Sequence, residues 1–209
     1  MKILVTGGAG FIASNLLTRL VCMQEYVVKA TLHQNAPQVI NNRIEYFKCD
    51  LSRSDDCLQA CDGMDCVIMC AANTSGANVI EKDPLAHVTP NVIMNSLMLN
   101  AAYKKHVKKF VFISSNTVYP PGSYPMRESD CNGIMFDKYY CVGWMKRFTE
   151  IMCDMYSNKI RNPMSTIVIR PGNCYGEYDD FEYETAHVIP SLIRKAVEKC
   201  DPFEVWGDG

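Results

Sequence analysis

The 209-residue chain lacks a dominant charge, a long apolar run and a tight set of metal-binding cysteines. Its 21 basic and 23 acidic side chains leave a formal charge of −2, so no global field draws it to nucleic acid or to an anionic membrane. No apolar stretch approaches the ~20 residues that span a bilayer. The opening "MKILVTGG" passes straight from an apolar strand into glycines, leaving no room for a secretory leader, and a reducing cytoplasm is the expected setting. Cysteine itself is not scarce. Eleven are present, but they fall singly inside apolar segments instead of forming the framework of a small secreted domain. Cys57, Cys61, Cys66 and Cys70 come nearest to a series, with three, four and three residues between them. Metal sites favour tighter loop pairs, so buried thiols and no metal are expected.

What is present is an alternation. Short apolar runs at 2–6, 26–32, 44–50, 66–72, 108–115 and 165–171 are separated by amphipathic segments at 11–23, 54–62, 91–105 and 138–157. Nearly continuous apolar strands between helices predict a parallel sheet covered on both faces, and right-handed crossovers make it doubly wound, a Rossmann-type α/β fold. After residue 171 the chain turns rich in glycine, acid and tyrosine, as expected of a loop near a ligand, before a helix at 187–199 and a short strand at 203–206. The expected division is a dinucleotide-binding domain over 1–171 and the beginning of a substrate-binding region over 172–209.

Gly7, Gly10 and Ala13 stand at G-x-x-G-x-x-A spacing between the first strand and the first helix. Glycine there permits a tight turn and close approach of a pyrophosphate, which the helix N–H groups of Phe11 and Ile12 would receive. At the end of the second strand a carboxylate would bind the adenosine ribose of NAD(H) and repel a 2′-phosphate. Thr31 occupies that position, and no acid follows before Glu45. This favours NADP(H), with Thr31, His33 and Gln34 as candidate contacts, while the lack of an arginine to clasp the phosphate leaves NAD(H) open.

The segments "TGGAGFIAS", "CDLS", "CAANT", "FISSNTVYP" and "RPGNCYGEYDDF", in this order, resemble the extended short-chain dehydrogenase/reductase family, in its group of nucleotide-sugar epimerases, dehydratases and reductases. "SSNTVYPP", "HVIPSLIRK" and "VWGDG" look most like the GDP-fucose synthase branch. The resemblance implies a nucleotide-diphosphate sugar as substrate, hydride transfer at a keto or hydroxyl carbon, and homodimers paired through the helices near 91–105 and 138–157. It implies that Asp50 and Leu51 meet the adenine, that Ala71 and Ala72 let backbone pass the cofactor, and that Pro171 to Asn173 hold the nicotinamide. Ser115 matches the serine that bonds the reacting sugar oxygen, Asn173 lies near the diphosphate, and His187 with Arg194 or Lys195 would contact substrate. Thr117 stands where the branch carries an epimerising cysteine. The resemblance also implies roughly a hundred further residues of substrate domain beyond Gly209, in keeping with ordinary domain sizes.

One departure concerns the catalytic couple. The family places a tyrosine four residues before a lysine, on one helix face, so that the ammonium lowers the phenol pKa. Lys146 matches that lysine, and four residues earlier stands Val142. Tyr139 lies seven residues before Lys146, near the same face but ~10 Å along the axis, and Tyr140 is rotated by roughly 120°. A helix that starts late, or an irregularity at Gly143, would bring one of them closer, with Tyr139 the leading candidate. The other readings are a different acid, such as water held by Ser115, or cofactor binding without turnover.

Overall fold

The computed structural model describes residues 1–74, 83, 85–183 and 185–205. Six parallel strands form one sheet in the order β3-β2-β1-β4-β5-β6: β1 Lys2–Val5, β2 Val27–Leu32, β3 Ile44–Lys48, β4 Cys66–Met69, β5 Lys109–Ile113 and β6 Ser165–Ile169. The helices are α1 Phe11–Leu20, α2 Ser54–Cys61, α3 Leu85–Lys104, α4 Tyr140–Asn158 and α5 Val188–Val197. The strand order reverses between β1 and β4, the crevice in which an open α/β sheet binds ligands.

Strand alternation divides the core in two. Ile3 and Val5 pack with Ala13, Leu17 and Leu20 of α1, while Leu4 faces the other way with Val67, Met69, Phe110 and Phe112, under α2, α3 and α4. Cys57 and Cys61 lie in the second of these clusters, whereas Cys66 belongs to the first and Cys70 packs against it. The four thiols therefore sit on opposite sides of the sheet.

Two expected elements differ from those observed. The helix expected over 91–105 begins at Leu85 and contains Pro90. Proline supplies no N–H to the Ala86 carbonyl one turn earlier, and Asn73 Nδ2 takes that oxygen instead at 3.3 Å. No strand forms over 203–205, and residues 206–209 lie outside the described residues. Among the described residues no strand of the sheet pairs with 203–205.

The helix expected from 138 starts at Tyr140, after a 3-10 turn over Asp137–Tyr139, and is regular through Gly143. Gly143 is required by close packing instead: a Cβ there would stand 2.6 Å from the Thr117 carbonyl oxygen and 2.8 Å from Met135 Sδ. Gly143→Ala should therefore push α4 off the segment after β5 and destabilise by about 1–3 kcal/mol, the usual cost of overpacking. Denaturant unfolding of the variant checks this.

Candidate functional site

The loops after β1, β4, β5 and β6 meet at the carboxyl edge of the sheet. Thr6, fully buried, ties the first two together: its hydroxyl accepts the Cys70 and Ala71 N–H groups at 3.1 and 3.0 Å and donates to Met69 Sδ at 3.2 Å. This seats Ala71 against Gly7, whose φ of +68° is the left-handed conformation that glycine adopts without penalty. A Cβ at Gly7 would lie 2.8 Å from Ala71 Cα. Ala72 follows, half-buried, and Asn73 is clamped by Asn91, which accepts the Asn73 N–H at 2.9 Å and donates to its carbonyl at 2.8 Å.

Gly10 caps α1 with no side-chain hydrogen bond, and no acid stands in the first turn. The Phe11 and Ile12 N–H groups thus end the helix without a capping acceptor among the described residues, at its positive pole. Free N–H donors at the positive pole of a helix suit an anionic group, so these residues fit a pyrophosphate. Thr31 stands at the expected end of β2 but is 2% exposed, and its hydroxyl accepts the Gly7 N–H at 3.0 Å while its carbonyl accepts Gly8 N–H at 2.8 Å. It braces the glycine loop. His33 and Gln34, just beyond the strand, are exposed.

Asp50 is half-buried with its Oδ1 accepting both the N–H and the hydroxyl of Ser52, bonds that hold its carboxyl below the ordinary range. Leu51 beside it is buried. These residues, His33 and the glycine loop lie on the β2–β3 side of the crevice; Ser115, Lys146 and the 171–173 segment lie on the β5–β6 side.

The second side is stitched by backbone. Ser114 N–H donates to Ile169 O at 2.7 Å and Asn116 N–H to Pro171 O at 3.1 Å, which brings Ser115 beside Pro171. Ser115 caps a short 3-10 turn, its Oγ accepting the Thr117 N–H at 3.2 Å and the Thr117 hydroxyl at 3.0 Å. Lys146 reaches the same strand end from α4: its Nζ donates to the Ile113 carbonyl at 2.9 Å and stands 5.0 Å from the Phe112 ring centre. Burial lowers its pKa to about 8, against smaller opposite pulls from Cys70 and Glu150. Asn173 is exposed at the start of the loop that follows.

Neither tyrosine hydroxyl is bonded to Lys146 or Ser115 among the described residues. Tyr139 stands at the N-cap of α4 with its ring 6.0 Å from Phe136, and Tyr140 packs edge-on to Trp144 at 6.3 Å. The aromatic neighbours hold both rings at the helix start. Val142 is half-buried.

His187 forms the N-cap of α5, exposed, with Nδ1 4.0 Å from Asp179 Oδ1. Arg194 does not offer a free cation. Its guanidinium donates to Glu198 Oε1 at 2.8 Å, to the Phe181 carbonyl at 2.9 Å and to Glu182 Oε2 at 3.3 Å, and it covers the Tyr183 ring at 4.2 Å. It fastens the loop to α5. Lys195 is held by the Glu204 carbonyl at 3.0 Å.

Three further groups escaped the sequence reading. Glu150, one turn after Lys146, is 4% exposed and receives Arg170 through both Nε and Nη2, Ser114 Oγ at 2.6 Å and Arg147 at 2.9 Å. Burial pushes its pKa up, and these bonds outweigh burial and hold it below the ordinary range. Asn15 donates to the Glu177 carbonyl at 2.7 Å, and Gln38 Nε2 to the carbonyls of Ala9 and Tyr178 at 3.0 and 3.3 Å. The loop after β6 is thereby drawn over the start of α1. An acid at one-turn spacing from Lys146 was the available signal for Glu150; Asn15 and Gln38 carried none.

Comparison with known proteins agrees with this geometry. Over residues 3–209 the chain matches the NAD dependent epimerase/dehydratase family. It is 28% identical over 215 residues to GDP-mannose 3,5-epimerase 1 of Oryza sativa subsp. japonica, covering 100% of this chain and 56% of that protein. It is 26% identical over 156 residues to GDP-L-fucose synthase of Escherichia coli K12, covering 72% of this chain and 48% of the other. The UDP-glucuronic acid 4-epimerase structure from Bacillus cereus, in complex with UDP-glucuronic acid and NAD, superposes with a TM-score of 0.82 at 26% identity, over 100% of this chain and 67% of that one. The chain thus spans about half the length of the curated relatives it matches. With a family model matched over nearly its whole length, the chain belongs to the NAD dependent epimerase/dehydratase family.

Proposed function

We propose that the protein is an NAD(P)-dependent nucleotide-sugar epimerase or reductase that works by hydride transfer at a keto or hydroxyl carbon of the sugar. The observation that carries this is the pairing, across the β1/β4 reversal, of an anion-ready α1 terminus with Ser115 and Lys146 at the end of β5. The nicotinamide cofactor supplies or accepts the hydride. Gly7, Gly10, Phe11 and Ile12 would hold its pyrophosphate, Asp50 and Leu51 its adenine, and Lys146 with Pro171 its nicotinamide half. Ala71 and Ala72 let it lie close to β4. The Ser115 hydroxyl, already oriented by Thr117, would bond the reacting oxygen. Asn173 and His187 would meet the nucleotide-diphosphate sugar.

NADP(H) is the favoured cofactor. No acid stands at the end of β2, where His33 is exposed, and Lys48 ends β3 in register with Leu32. A tighter dissociation constant for NADPH than for NADH supports this, and the reverse order contradicts it. Residues 172–209 read as the start of a substrate-binding region. The eleven cysteines are all free thiols, in keeping with a cytoplasmic setting, and among the described residues no helix is long and apolar enough to cross a membrane.

The protein pairs as a homodimer through α3 and α4. On α4 the exposed side chains Tyr140, Trp144, Phe148, Ile151 and Met155 recur at helical spacing, joined by Ile93 of α3. The double variant Phe148→Glu, Ile151→Glu should sediment as a folded monomer where the parent is a dimer; a monomeric parent refutes the pairing.

A second reading, a cofactor-binding protein without turnover, is favoured by Val142 and by the separation of both tyrosines from Lys146. One experiment separates the two: NADPH absorbance followed with GDP- and dTDP-linked 4-keto sugars. Oxidation of the cofactor, or an epimerised sugar seen by NMR in the same mixtures with NADPH or NAD, supports the enzyme, and binding with neither change for every sugar supports the alternative.

A further inference from the structure

We propose that Lys146 itself exchanges the proton with the sugar oxygen in this chain, filling the role of the tyrosine whose place Val142 takes. This rests on the hydride-transfer reading above.

The lysine is placed for it. Its Nζ lies at the carboxyl end of β5, two residues before Ser115, and α4 touches the same segment again where Gly143 faces Thr117. One N–H is engaged by the Ile113 carbonyl, and no carboxylate bonds the ammonium among the described residues. That leaves two donors for ligands. Glu150, the acid nearest along α4, is committed to Arg147, Arg170 and Ser114. On the β4 side stands Cys70, whose thiol burial pushes up to about 12, so it remains neutral. From the helix start, Tyr139 and Tyr140 are held by Phe136 and Trp144. Lys146 is thus the cation that this strand end presents, in a setting that disfavours its charge. A donor whose pKa lies near the working pH gives both the right protonation state and a driving force for transfer.

The step balances as follows for reduction. As the sugar carbonyl carbon gains the hydride supplied by the reduced nicotinamide, its oxygen takes a proton from the Lys146 ammonium, directly or through the Ser115 hydroxyl. The lysine is left as a neutral amine and recovers its proton from solvent. In the reverse direction the neutral amine accepts the proton.

The test uses the full-length protein with NADPH and a panel of GDP- and dTDP-linked 4-keto-6-deoxy sugars, with NADPH affinity measured separately for each variant. At saturating NADPH, Lys146→Ala should lower the single-turnover rate by about 10²–10⁴-fold, the usual share of acid–base catalysis. Added methylamine or ethylamine should restore part of the rate, in proportion to amine concentration. Independently of turnover, NMR titration of [15N]lysine-labelled parent, with the Lys146 signal assigned by its loss in Lys146→Arg, should show a midpoint of about 8. If Lys146→Ala does not fold, the titration of the parent still overturns the proton role when its midpoint stands at the ordinary lysine value. Absence of amine rescue likewise overturns the proton role while an active parent leaves hydride transfer standing. A parent that binds NADPH yet neither oxidises it nor epimerises any sugar overturns hydride transfer and this proposal together.

Discussion

Glu150→Gln should destabilise the protein by about 3–5 kcal/mol, the cost of removing one partner from a buried ion pair. The carboxylate is 4% exposed and holds Arg170 by two bonds at 2.9 and 2.8 Å, so its loss leaves one guanidinium buried without an anion and Arg147 with a weaker partner. The effect reaches the site. Ser114 donates to Glu150 and precedes Ser115, Arg170 precedes Pro171, and Lys146 sits one turn before Glu150 on α4. The variant should therefore lose rate as well as stability. The parent's pH dependence follows the same group. The folded-state pKa is held below the unfolded one, so the stabilisation is complete above the unfolded value, ~4.3, and is lost as pH falls through the folded value. Urea unfolding between pH 3 and 7 should show stability falling on the acid side in the parent and a flatter curve in Glu150→Gln. Equal curves for the two proteins would contradict the assignment.

Gly7→Ala should weaken cofactor binding by roughly 30-fold or more. A left-handed backbone costs an L-residue about 1–2 kcal/mol, and the added Cβ would press on Ala71 Cα at 2.8 Å, which belongs to backbone and cannot swing aside. The free variant relaxes its loop away from this geometry, and binding must restore it. About 2 kcal/mol spent in this way corresponds to that loss of affinity, at ~1.4 kcal/mol per tenfold. Fluorescence titration with NADPH measures it. Unchanged affinity would mean that the glycine loop is not the pyrophosphate site.

The sheet was legible because its signals are local. "KILVT" and "CVIMCAA" read as buried strands on composition alone, "STIVIRP" reads as a strand although Ile167 and Ile169 of β6 stay exposed, and a glycine turn leading into an apolar helix has few other uses. Ser115 and Lys146 were found through the resemblance to the family's motifs, and both stand at the end of β5. What spacing does not carry is direction and partnership. Thr31 occupies the expected strand end, yet its hydroxyl is taken by the Gly7 N–H. Arg194 matched a substrate-contacting position, and the acids of its own loop and helix bond it. The Glu150 cluster joins residues from β5, α4 and β6, an association created only by folding. Gly143 suggested an irregular helix from one residue's permissiveness, whereas its real constraint is the Thr117 carbonyl beneath it.

The central claim is hydride transfer to or from a nucleotide sugar at the β1/β4 crevice, and isotope transfer tests it most directly. The full-length protein is incubated with NADPH carrying deuterium at the nicotinamide C4 and with the panel of 4-keto sugars, and the sugar products are examined by mass spectrometry. Deuterium should appear on the sugar carbon that bore the keto group, at a rate lowered by Ser115→Ala. Tight binding of the labelled cofactor with no deuterium reaching any sugar, and no epimerised product from any sugar with NADPH or NAD, would contradict the account.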